Sequence, residues 1–151
     1  MGMEGNFNQP IVPIEKTEDI KKNRQEFDQF IANGGMKALL DENGGEVVPK
    51  YTKSVGADYI TEKLFELNRG DAVARLMVAL KLDIKEVVPK IIDQGWEWPL
   101  IWEADKYKNT KPFQETIAEA LIEKGKKNLV QENLSKFNAL SEDFLTKNQL
   151  K

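Results

Sequence analysis

The chain contains no histidine and no cysteine in 151 residues. Without them it cannot build a serine–histidine triad, a cysteine nucleophile, a disulfide or a zinc site of the usual ligand types. General acid–base work would fall to carboxylates, lysines and tyrosines. There is no apolar run near the ~20 residues that span a bilayer, so no membrane partner is expected. Met1-Gly2-Met3-Glu4-Gly5 has neither the basic flank nor the apolar stretch of a secretory leader. Asn6 stands where N-myristoylation calls for serine or threonine. The triplet Asn133-Leu134-Ser135 matches a glycosylation acceptor, but without an export signal it means little. A chain free of cysteine suits a reducing compartment, and a cytoplasmic location is expected. Gly-x-Gly-x-x-Gly and Walker-type loops are missing too, and no cofactor or metal is expected. The pairs Gly34-Gly35 and Gly44-Gly45 read as helix stops rather than phosphate cradles.

What is present is ordinary for one globular domain. Residues are 40% hydrophobic and 31% charged, and the length suffices for a real core. The net charge of −3 hides an asymmetry. Residues 1–105 hold 13 Lys/Arg against 19 Asp/Glu, whereas residues 106–151 hold 9 against 6. Either this is a plain solvated surface, or an acidic front steers the molecule toward a basic partner.

Residues 1–16 read as an extended arm, because Pro10 and Pro13 disfavour helix and Ile11, Val12 and Ile14 give it apolar teeth. Residues 17–151 read as a single helical domain. Thr17 is placed as a helix cap, with Ile20, Phe27, Phe30 and Ile31 on one inward face. Met36, Leu39 and Leu40 give one more short turn. The stretch from Val47 to Lys53 reads as irregular, since Pro49 argues against a central strand. Ile60, Leu64 and Leu67 mark the next helix, and Arg69-Gly70 close it. Asp71 is a candidate cap for a helix burying Val73, Leu76, Met77 and Leu80. Asp83 with Glu86 resembles a capping box for another helix, with Ile84, Val87, Val88, Ile91 and Ile92 inside. The apolar positions across 71–94 also stay in phase, so one long helix kinked at Pro89 is an open alternative. Further helices are expected at about 99–107, at about 114–124, and from Asn128 through Leu140, with Ser141 capping a last turn. Nothing alternates with period two, so the expected class is all-α.

The run Ala74-Arg75-Leu76-Met77-Val78-Ala79-Leu80, with Asp83-Ile84-Lys85-Glu86-Val87-Val88 and Gly95, resembles an ankyrin repeat. Trp98-Pro99-Leu100-Ile101-Trp102-Glu103-Ala104, followed by Glu115 through Gly125, resembles a second unit. Pro99, Leu100 and Ala104 fall where that family's proline, leucine and second alanine would. The similarity covers 74–125 and departs from the family in two ways. The units are shortened, Ala74 to Trp98 falling short of the ~33-residue ankyrin period. The histidine of the motif is replaced by Met77 and Ile101. The resemblance implies stacked helical hairpins, ankyrin-like or of another α-solenoid-like kind, that bind protein partners without catalysis.

The residues themselves support the same expectation. A helix pair with one apolar face cannot bury it alone, so neighbouring pairs must cover one another. Trp96, Trp98 and Trp102 crowd the junction between the two units, and tryptophan is enriched where binding energy concentrates. The candidate partner-binding surface is Trp96, Glu97, Trp98, Trp102, Glu103, Asp105 and Tyr107. Within it Trp102 is expected to serve chiefly as core in the joint, while Trp96 is open to either role. The expected function is a non-enzymatic scaffold for another protein with a basic surface: an inhibitor, an immunity-type antidote or an adaptor.

Two other classes compete. Glu97, Glu103 and Asp105 against an aromatic wall would have raised pKa values and serve a small enzyme. Asp41-Glu42 with Glu46 lacks the spacing of a calcium loop. Lys106, Lys108, Lys111, Lys124, Lys126 and Lys127, interleaved with Tyr107 and Phe113, would suit nucleic acid. Glu115, Glu119 and Glu123 in the same neighbourhood disfavour it.

Overall fold

A computed structural model of the chain describes residues 14–41, 45–104, 106 and 111–150. All regular structure among the described residues is helical. Residues 1–13, most of the expected arm, lie outside them. The first helix, α1 (Ile14–Phe30), already runs at Ile14, so the arm does not extend to residue 16. Thr17 is therefore inside the helix rather than its cap. Past Pro13, nothing in Ile14-Glu15-Lys16 opposes a helix.

Phe27 of α1 is fully buried, edge-on to Tyr51 at 5.1 Å and to Tyr59 at 6.2 Å between ring centroids. Ile20, expected inside, is exposed. It lies one turn before Asn23, whose Nδ2 donates to the Ser54 carbonyl oxygen at 3.2 Å. Asn33 and Gly34 leave helical geometry, Gly34 at φ +90°, before α2 (Met36–Leu40) resumes.

The stretch around Pro49 is a helix, α3 (Val47–Val55), and not irregular. Pro49 is its third residue, where a backbone N–H would have no intrahelical acceptor in any case. Val48 and Tyr51 supply its buried face. Pro99 stands third in α7 (Glu97–Ala104) and Pro112 second in α8 (Lys111–Glu123) for the same reason. α7 thus begins earlier than proline at its first position suggests.

α4 (Ala57–Glu66) buries Ile60 and Leu64, while Leu67, expected inside, is exposed just past its end. Residues 71–94 are two helices, α5 (Gly70–Leu76) and α6 (Ile84–Asp93), and not one kinked helix. Lys81 at φ +56° turns the chain between them. Asp83 caps α6, its side chain accepting from the Lys85 N–H at 3.0 Å. Asp71 does not cap α5. It lies inside that helix, where Arg69 Nε and Nη2 donate to its two oxygens at 2.9 and 3.0 Å. A fork-to-fork ion pair outcompetes a single cap bond for the carboxylate. The last described helices are α9 (Lys127–Glu132), which stops well short of the expected Leu140, and α10 (Glu142–Lys147), which Ser141 caps by accepting from the Phe144 N–H.

One way of ending a helix recurs. After α6, Gly95 takes φ +87°; its N–H donates to Ile92 O, and the Trp96 N–H to Ile91 O. Gly125 and Lys126 close α8 on Ile122 and Leu121 in the same pattern, and Asn68 and Arg69 close α4 on Phe65 and Leu64. Each closure satisfies carbonyls left over at the helix end and turns the chain directly into the next helix.

α1 packs on α3, and α4 joins α3 to α5. α5 lies against α6 and α7, and α8 against α6, α7 and α9. Ile60, Leu64, Val73, Met77, Ile91, Leu100, Ile101, Ile117 and Leu121 belong to one continuous core.

Candidate functional site

α7 carries the tryptophan segment, and its faces divide cleanly. Leu100, Ile101 and Ala104 are fully buried against the neighbouring helices. Trp98 and Trp102, one turn apart, therefore lie on the other side, 45% and 57% exposed. Their ring centroids are 6.4 Å apart with the planes tilted by 37°. Trp102 is thus not the core plug expected of it, because Leu100, Ile101 and Ala104 already occupy the inward positions.

Trp96 behaves differently. Its ring packs half-buried against the core, and its Nε1 donates to the Asn68 carbonyl oxygen at 3.1 Å. Gly70 passes so close that a Cβ there would lie 2.9 Å from both Trp96 Cδ1 and Gln94 Oε1. Gln94 completes this junction, donating from Nε2 to Phe65 O and accepting from the Gly70 N–H, both at 2.9 Å. Trp96 is a bracket between the end of α4 and the start of α7.

The acids around the indoles are engaged internally. Glu97 Oε1 lies 3.0 Å from Lys126 Nζ, and the Glu97 side chain is only 14% exposed. Burial pushes this carboxyl up. A hydrogen bond from its own backbone N–H and the hydrogen bond and charge of Lys126 outweigh that, leaving it below the ordinary glutamate range. A carboxyl depressed in this way is the opposite of the raised acid that an aromatic wall would create. Glu103 is buried, with 8% side-chain exposure, and pairs with Lys106 at 2.9 Å. It sits on the inward side of α7 and offers little to a visiting molecule, contrary to expectation. Asp105 and Tyr107 lie outside the described residues, as do Glu42 of the candidate cation grouping and Lys108.

Several lysines of the final third are occupied as well. Besides Lys106 and Lys126, Lys124 Nζ lies 2.8 Å from Asp93 Oδ1. These pairs run within the chain, which removes much of the free positive charge a phosphate backbone would need. Among the described residues no group of three or more acids is placed to hold a metal ion, and no helix is long and apolar enough to cross a membrane.

Sequence reasoning missed Gln114. It is fully buried, donating from Nε2 to Ala104 O at 2.9 Å and to Asn138 Oδ1 at 3.1 Å, and accepting from the Ala139 N–H at 2.7 Å. Beside it, Glu115 Oε2 accepts from the Ser141 N–H at 3.1 Å. Together they tie the segment after α9 back to α8. A lone glutamine near a helix start carries no sequence signal for this.

No protein-family model, curated protein or solved structure matches the chain.

Proposed function

We propose that the chain is a non-enzymatic scaffold of stacked helical hairpins that binds another protein through Trp98 and Trp102. The stacking rests on which helices touch: α5 pairs with α6 and α7 with α8, while α5 also meets α7 and α6 meets α8. The recurring closures at Asn68, Gly95 and Gly125 mark where successive units begin. Such an array is ankyrin-like in plan, with units shorter than the family's.

The observation that carries the binding role is the pair of exposed indoles held side by side on α7. Tryptophan supplies large apolar area with two rotatable bonds, which suits it to anchor an interface. The third and seventh residues after each closure are Asp71 and Arg75 in one unit and Asn128 and Glu132 in another. Only the middle unit places aromatic rings there. An enzymatic role loses one of its candidate acids, since the Glu97 carboxyl is tied to its own backbone N–H and to Lys126 and lies below the ordinary glutamate range. Inhibitor, antidote and adaptor are the roles such a binder fits, in a cytoplasm where a chain without cysteine gives up nothing.

The test is a Trp98→Ala/Trp102→Ala double variant. Tagged wild-type protein should capture a partner from host lysate, and that partner should capture the wild type in return. The variant should lose both while melting within a few degrees of the wild type, because neither ring packs in the core. Unchanged capture would refute the proposed surface.

A further inference from the structure

α4 and α6 run alongside each other in the same direction but pack little against one another, unlike α6 and α8. Gln94 bridges them at one end. Between them lies a groove in two adjoining parts of about 590 and 370 Å³, sharing Glu62, Phe65 and Lys90. Phe65 and Leu82, both partly buried, contribute apolar surface to it. Its length follows α4, which at ten residues and about 1.5 Å per residue allows two to three turns of a docked helix.

The walls are lopsided in charge. Six carboxylates line the groove against two lysines, Lys81 and Lys90. Lys90 is 4.0 Å from Glu86, and Asp93 is paired with Lys124. Asp58, Glu62 and Glu66 recur every fourth residue along α4, and none has an ion-pair partner among the described residues. Like charges at this spacing repel, by about 0.2–0.5 kcal/mol per pair in isolated helices. Glu66 is also the last residue of α4, where the helix dipole is negative. A cation arriving along this stripe would relieve both.

We infer that the groove between α4 and α6 docks a basic amphipathic helix of a partner protein, its apolar edge on Phe65 and Leu82 and its cations along Asp58, Glu62 and Glu66. This is the helix-in-groove mode, with charge setting orientation and encounter rate. It extends the protein-binding proposal to a second surface and does not depend on the tryptophan pair.

The probe is a labelled lysine–leucine amphipathic peptide, compared with a scrambled peptide of identical composition. Anisotropy titration should show binding of the amphipathic peptide that weakens with salt. Amide shift changes should be confined to α4 and α6. Glu62→Lys/Glu66→Lys should weaken binding about tenfold or more, the scale of about 1.4 kcal/mol. The Trp98→Ala/Trp102→Ala variant should bind the peptide like wild type, so failure at one surface is separable from failure at the other. Absence of binding, equal binding of the scrambled peptide, or shifts centred on another face would overturn the inference. So would a dimer in sedimentation that Glu62→Lys/Glu66→Lys dissolves, since a second copy would then be the occupant. Should that variant fail to fold, shift mapping on the wild type decides alone.

Discussion

Lys126 Nζ reaches Glu97 Oε1 at 3.0 Å, so the residue just before α9 is clasped to the residue that opens α7. Because this pairing and the local backbone hold the Glu97 carboxyl below its unfolded value, its contribution to stability has a definite pH sign. The contribution is fully present above the unfolded glutamate range and is lost as pH falls through the folded-state value. Glu97→Gln should therefore lower unfolding free energy at neutral pH by up to about 1 kcal/mol, the upper end for a partly exposed pair. The gap between variant and wild type should narrow as pH falls below about 4, where free glutamate protonates, and close only below the lower folded-state value. Urea denaturation of both proteins at the two pH values checks this, and a gap that widens in acid would contradict it.

Gln114 offers a larger effect. Replacing it with leucine of similar bulk would remove the partner of the buried Ala104 carbonyl oxygen and of the part-buried Ala139 N–H. Each buried polar group left without a partner costs about 1–3 kcal/mol. Gln114→Leu should thus lose about 2 kcal/mol or more, with amide hydrogen exchange accelerating first around residues 138–141. Glutamate at the same position should also destabilise, since it cannot donate to Ala104 O.

Trp96 and Trp102 should separate sharply under alanine substitution. Trp96→Ala removes packing on the core, the contact with Gly70 and the bond to Asn68 O, and should cost about 2 kcal/mol or more. Trp102→Ala removes a ring that is more than half exposed and should change stability by less than about 0.5 kcal/mol. Thermal melts of the two single variants measure the contrast. Equal losses would mean that Trp102 carries packing weight in solution.

Much of the helical plan was legible because it rests on local chemistry. Asp83 and Ser141 cap the helices that follow them, as side chains able to accept an N–H at those positions should. Gly95 and Gly125 end helices at positive φ, where a Cβ is a liability. Asp71 misled because its competing partner, Arg69, is as local as the cap it would have made. Pro49 misled because proline breaks strands and helix interiors but fits a helix's first turn.

The site was less legible. Leu100, Ile101 and Ala104 do share one helical face, and that spacing alone sets Trp98 and Trp102 outward. The pattern was available in the sequence, but for Trp102 the habit of burying tryptophan pointed the other way. Burial of Glu103, the Glu97–Lys126 pair and the hydrogen bonds of Gln94 and Gln114 depend on distant segments meeting, which no local pattern encodes.

Two indoles 6.4 Å apart and tilted by 37° are close enough for their electronic transitions to couple, and a pair of circular dichroism bands of opposite sign is the expected signature. Because the pair stands at the solvent boundary, anything that settles on it, wedges the rings apart or rotates one of them will alter that couplet. The protein therefore has an intrinsic spectroscopic reporter at the surface where docking is proposed, usable on untagged material with no dye attached.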